Sequence, residues 1–95
     1  DTATSGRMVV LDASVVVEML LGSQAGRRAM SFLLHAEADL HAPELLDVEV
    51  LHVLRRAVSR QQLSVARAND ALATLDALPL RRHGHGVLRR RVWQH

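Results

Sequence analysis

Ninety-five residues, 48% of them hydrophobic and none cysteine, make one modest domain with a packed core and neither disulfide framework nor thiolate metal site. One tryptophan, one phenylalanine and no tyrosine exclude base stacking as a main binding device, and no apolar run approaches the roughly 18 residues of a membrane span. The formal charge of +2 hides a division at Pro79: seven arginines and all ten acids precede it, whereas five arginines and no acid follow it. All twelve basic residues are arginine, a bias that GC-rich codon usage explains as readily as guanidinium chemistry does. The basic end suits nucleic acid phosphates or an acidic partner peptide.

Residues 1–7 lack the apolar core of a signal peptide and read as a polar tail ahead of a start at Met8. Residues 9–12 read as a buried strand, and 14–21 as a short helix, apolar nearly all round and hence covered. Gly22-Ser23-Gln24 breaks it. Residues 26–37 are helical in pattern, with Ala29, Met30, Leu33 and Leu34 on one face. A short strand over 39–42 closes at Pro43, which suits the first position of the longest helix, 44–60. Ser64 reads as the N-cap of a helix to about residue 78, with Val65, Ala68, Leu72 and Leu75 as its buried stripe. Pro79 ends that helix; residues 80–82 form a candidate third strand, and the chain from Val87 onward is helix-like. Alternating apolar strands and helices predict a parallel sheet with helices on both faces.

Asp12 stands where such folds place their chemistry, at the carboxyl edge of the sheet between a strand and a helix. Two readings stand for it: an N-cap of the following helix, or a functional carboxylate, with Ser14 as a competing cap that leaves Asp12 to face the sheet edge. In the helix over 44–60, Leu46, Val50, Leu51, Val53, Leu54, Ala57 and Val58 fill one broad arc at 100° per residue. Glu49 projects at the edge of that arc, as a metal ligand or as the partner of Arg56 in an ion pair. Asp47 falls inside the arc, one turn from the helix start, where it favours the helix dipole or lines the same cleft as Glu49. His83-Gly84-His85 can bind Zn²⁺ or Ni²⁺ only with a third ligand. No serine has a nucleophile-elbow context, and no glycine loop cradles phosphate. A phosphorylatable-aspartate receiver domain shares the acid at a strand end, but this chain has no lysine and no acidic pair near the first strand.

The segment Met8-Val-Val-Leu-Asp12-Ala-Ser14, with His41-Ala-Pro43-Glu-Leu-Leu-Asp47-Val-Glu49 and Arg55-Arg56, resembles PIN-domain ribonucleases, most nearly the VapC-type toxins of bacterial toxin–antitoxin pairs. The helix from Ser64, Leu78-Pro79-Leu80 and Arg91-Val92-Trp93 fit the same plan, so the resemblance covers nearly all of residues 8–95. It implies a three-layer α/β/α sandwich with a parallel sheet, and a cluster of acids binding Mg²⁺ or Mn²⁺ for metal-dependent hydrolysis of RNA phosphodiesters. On that resemblance Asp12 matches the first metal-site acid and Glu49 the second. Ser14 matches the small hydroxyl residue that orients Asp12 or a metal-bound water. Glu18 and Asp47 match no assigned position.

The pattern continues in the family into a helix with a third acid and a strand ending near a fourth, whereas this sequence has no acid after Asp76. The expectation is therefore a PIN-like domain over 8–95, incomplete at its C-terminus, whose longer parent is an endoribonuclease; for the chain itself two alternatives stand, an active nuclease and a disabled one. The resemblance further implies a cytoplasmic protein, with RNA as substrate, a VapB-like antitoxin as partner, a homodimer and no membrane association. The alternative is a non-catalytic interaction module that binds an antitoxin peptide or a second copy of itself.

Overall fold

The computed structural model describes residues 7–84, 86–88 and 90. The order of elements is β1 (Met8–Val10), α1 (Ala13–Leu21), α2 (Gln24–Ala36), β2 (Asp39–Pro43), α3 (Leu46–Ser59), α4 (Val65–Ala77) and β3 (Arg81–His83). Residues 86–88 and 90 are again helical. The tail over residues 1–6, His85, Trp93 and the terminal His95 lie outside the described residues.

The three strands form one parallel sheet in the order β1-β2-β3. Val10 stands opposite His41, and His41 opposite Arg81, so β2 is the central strand. Successive side chains of a strand point to opposite faces. His41 and Ala42 are both fully buried, so the central strand is covered on both sides. That is the layered α/β/α arrangement, with a parallel sheet, expected from the alternation of apolar strands and helices.

The helices form where the periodicity places them, and the caps explain their ends. Ser23 and Ser64 accept hydrogen bonds from the backbone N–H groups of Gly26 and Arg67, satisfying donors that the first helical turn leaves unpaired. Gly22 ends α1 in the left-handed conformation at φ 71°, which a glycine adopts without strain. Gly26 is needed for another reason: a Cβ there would lie 1.9 Å from the carbonyl oxygen of Glu18, so α2 can approach α1 this closely only through a residue without a side chain. The core runs from Leu11 through Val16 and Met19 of α1, Leu46, Val50 and Leu54 of α3, to Ala71 and Leu75 of α4.

Four details depart from the sequence reading. Pro43 does not open a helix; it is the last residue of β2, where its missing N–H costs the ladder little. The helix α3 starts three residues later at Leu46 with no side-chain cap, and carries Asp47 and Glu49 in its first turn, where negative charge favours the helix dipole. Leu34 and Val65, expected on buried faces, are exposed, because each sits at the margin of its apolar arc. Two of the arginines after Pro79 are paired within the chain at its surface: Arg81 with Asp39 and Arg82 with Asp47.

Candidate functional site

The helices α1 and α3 pack side by side, and a cleft of about 510 Å³ opens between them. Its walls are Ala13, Ser14, Val17 and Glu18 from α1, and Glu49, His52, Val53 and Arg56 from α3. The spacings follow from the helical repeat. Ser14 and Glu18 lie four residues apart on the exposed edge of an otherwise apolar helix, while Glu49, His52 and Arg56 form a stripe at intervals of three and four.

Asp12, two residues beyond β1, is not one of the residues that line the cleft and adjoins it through its bond to Ser14. It is the N-cap of α1: its Oδ1 accepts from the backbone N–H of Val15 at 3.0 Å and from the Ser14 hydroxyl at 2.9 Å. The cap reading is therefore correct for Asp12, and Ser14 does not compete for the position; its hydroxyl donates to Asp12 instead. Capping does not consume the carboxylate. Both side-chain bonds fall on Oδ1, and the side chain is exposed. The Val15 N–H and then the Ser14 hydroxyl hold the Asp12 carboxyl below the usual range, so it is ionised at neutral pH.

Glu49 is exposed and forms no ion pair among the described residues; Arg56, seven residues on, forms none either. The Glu49–Arg56 pair that the sequence allowed does not exist. Asp47 does not line the cleft. Its carboxylate takes the Arg82 guanidinium in a two-pronged bond, Nε to Oδ2 at 2.8 Å and Nη2 to Oδ1 at 3.0 Å, which ties the first turn of α3 to β3.

The cleft thus brings together Ser14, bonded to Asp12, and Glu49. It adds Glu18, His52 and Arg56, which sequence reasoning left without a role. The signal for them was present as two helical stripes, but their facing each other is a tertiary fact. Carboxylates not engaged in ion pairs are the oxygen donors that hard divalent cations take. The donor set suits such an ion in kind but is short in number, since among the described residues no three His, Asp or Glu side chains stand close enough together to hold one.

A second polar constellation lies in the sheet. His41 is fully buried; its Nε2 lies 3.0 Å from Asp39 Oδ2, its Nδ1 lies 2.7 Å from His83 Nε2, and the two imidazoles stack with centroids 4.9 Å apart. Asp39 also meets Arg81 at 3.4 Å. This chain of bonds joins β2 to β3 and engages His83 of the His83-Gly84-His85 motif, of which His85 lies outside the described residues.

A family model for the PIN domain matches residues 9–89. Among curated proteins the chain is 41% identical over 75 residues to Ribonuclease VapC12 of Mycobacterium tuberculosis, covering 79% of this chain and 57% of the relative. It is 46% identical over 70 residues to Ribonuclease VapC1 of the same organism, covering 74% of this chain and 50% of the relative. With VapC ribonuclease Mb0985 of Mycobacterium bovis it shares 36% over 87 residues, covering 92% of this chain and 65% of the relative. The chain therefore spans between about half and two thirds of the length of the curated relatives it matches. No solved structure matches it significantly.

Proposed function

The chain belongs to the PIN-domain family, and from that premise we propose that it carries the metal site of a VapC-type toxin, a divalent-metal-dependent endoribonuclease that cleaves RNA phosphodiesters. The observation that carries the reading is the cleft in which Ser14, bonded to Asp12, faces Glu49 across α1 and α3.

Each residue then has a task that follows from its surroundings. Asp12 Oδ2 and the Glu49 carboxylate are the oxygens that would hold Mg²⁺ or Mn²⁺, with Ser14 fixing the Asp12 rotamer through its hydroxyl bond. Such an ion, when bound, polarises water and offsets charge on the phosphate. Anchoring Oδ1 to the Val15 N–H keeps the Asp12 carboxylate ionised and its position tied to the backbone rather than to a flexible side chain. Glu18, four residues from Ser14 in the same cleft, is available as a further acceptor. Two or three carboxylates are few for a hard cation, whose affinity rises with ligand charge.

The same reading makes RNA the substrate, a VapB-like antitoxin and a second copy of the chain its partners, and the cytoplasm its compartment. Among the described residues no helix is long and apolar enough to cross a membrane. A non-catalytic interaction module is the second reading, favoured by the exposed apolar side chains Phe32, Leu34, Leu45 and Val48. The test is cleavage of labelled RNA by this chain with Mg²⁺ or Mn²⁺, beside EDTA and Asp12→Asn. Cutting that needs metal and Asp12 supports the nuclease; cutting that survives both controls overturns the assignment of Asp12. A folded chain that binds a partner peptide and never cuts favours the interaction module.

A further inference from the structure

Arginine is the sole basic side chain apart from histidine in this protein, and among the described residues four arginines have side-chain partners within the fold. Arg27 bonds the carbonyl of Gly22, Arg67 bonds the carbonyl of Leu21 at 3.1 Å, Arg81 meets Asp39, and Arg82 clasps Asp47. Arg56 differs from all of these. It is exposed, has no hydrogen bond or ion pair among the described residues, and is the one arginine that lines the cleft of Ser14 and Glu49. A guanidinium beside two carboxylates, Glu18 and Glu49, that nonetheless pairs with neither remains available to an anion from outside.

Position sharpens the point. Glu49 and Arg56 are separated by seven residues along one helix face, about 10 Å of rise, with His52 between them. A strand lying along the cleft therefore meets the acidic end first and the guanidinium a short distance on. The planar fork of arginine matches phosphate oxygens in pairs, which an ammonium cannot do. Resting on the ribonuclease reading above, we propose that Arg56 is a substrate-binding residue. It grips a backbone phosphate flanking the scissile bond and seats the RNA strand against Glu49. Contact with phosphate rather than with a base makes its contribution independent of sequence.

The probe is a fluorescein-labelled, mixed-sequence single-stranded RNA. Its binding to the 95-residue chain is followed by anisotropy in EDTA over a series of KCl concentrations, so that Arg56 is judged whether or not this chain cleaves. Arg56→Gln is expected to weaken binding by about tenfold and to make the salt dependence shallower by about 0.7, the loss of one single-strand phosphate contact. Arg56→Lys keeps the salt slope but binds less tightly than the parent, and Arg28→Gln, on the exposed face of α2 outside the cleft, changes neither. With Mn²⁺ present, Arg56→Gln raises KM about tenfold and leaves kcat within about twofold. A fall in kcat at constant KM, or parent-like affinity and salt slope in Arg56→Gln, overturns the assignment while leaving the nuclease reading intact. A parent chain that neither binds nor cuts RNA overturns both.

Discussion

The two polar constellations of this molecule use similar residues to opposite ends. In the sheet, Asp39, His41, His83 and Arg81 are bonded to one another around a histidine with no exposed surface. In the cleft between α1 and α3, Glu18, Glu49, His52 and Arg56 stand within one concavity without an ion pair among them. Burial explains the first: a polar group removed from water must find partners within the protein, or it costs a large desolvation penalty. Water explains the second, since exposed charges have little to gain from pairing. The lesson is that acid and histidine content does not locate a site. What marks the cleft is that its charged groups remain available.

The comparison breaks if the sheet network proves dispensable. His41→Ala removes a buried ring with its two hydrogen bonds and leaves a cavity, so it should cost about 3 kcal/mol of unfolding free energy. Urea titration followed by circular dichroism reads it, and a loss below about 1 kcal/mol would show that the network contributes little to the fold.

Next in size is the converse change. Glu49→Gln, at an exposed and unpaired position, should leave the unfolding midpoint unchanged while lowering RNA cleavage by about a hundredfold in the metal-supported assay. Equal cleavage by the variant and the parent would remove Glu49 from the site.

Asp12 joins the two kinds of role in one side chain, and two substitutions separate them. Asp12→Ala deletes the cap and should cost about 1 kcal/mol, whereas Asp12→Asn, an equally good cap, should fold within a few tenths of a kcal/mol of the parent. Both should fail in cleavage. If Asn folds as poorly as Ala, the charge and not the cap holds the start of α1.

The smallest effect is in pH. Because the folded-state pKa of Asp12 is depressed, its carboxylate stabilises the fold fully above the unfolded value and loses that contribution as pH falls below about 4 through the lowered folded value. In metal-free buffer the stability of the parent should therefore drop faster than that of Asp12→Asn between about pH 5 and pH 2, and parallel curves would contradict the Asp12 bonding described here.

Much of this was legible before any coordinates, for identifiable reasons. The apolar run ending at Asp12 and the stripes of Ala68 and Leu75 or Leu46, Val50 and Leu54 encode strand and helices directly, because burial imposes periods of 2 and 3.6. The Ser64 cap was equally local. Asp12, Ser14 and Glu49 stood out through their resemblance to a known motif, and the fold places Ser14 and Glu49 in one cleft with Asp12 bonded to Ser14. What escaped was everything that depends on which elements meet. The sequence put His41 in a strand, but only the β2–β3 register brings it to His83. Asp47 was read as favouring the helix dipole or lining the cleft; it sits in the first turn of α3, outside the cleft, and its partner lies 35 residues away in β3. Glu18, His52 and Arg56 each look like ordinary solvated positions until α1 and α3 are set side by side.

The clasp between Asp47 and Arg82 has a consequence beyond its modest strength. Both side chains are partly exposed, 45% and 31%, so the pair adds little to folding free energy. It nevertheless pins one end of α3 to the sheet, two residues before Glu49. A helix held only by greasy contacts along its length can roll or tilt among packings of nearly equal energy; a directional, two-pronged bond at its root selects one. The clasp therefore constrains the direction of α3 at its base, and so the helix face that carries His52 and Arg56, from an arginine that is not itself a cleft residue.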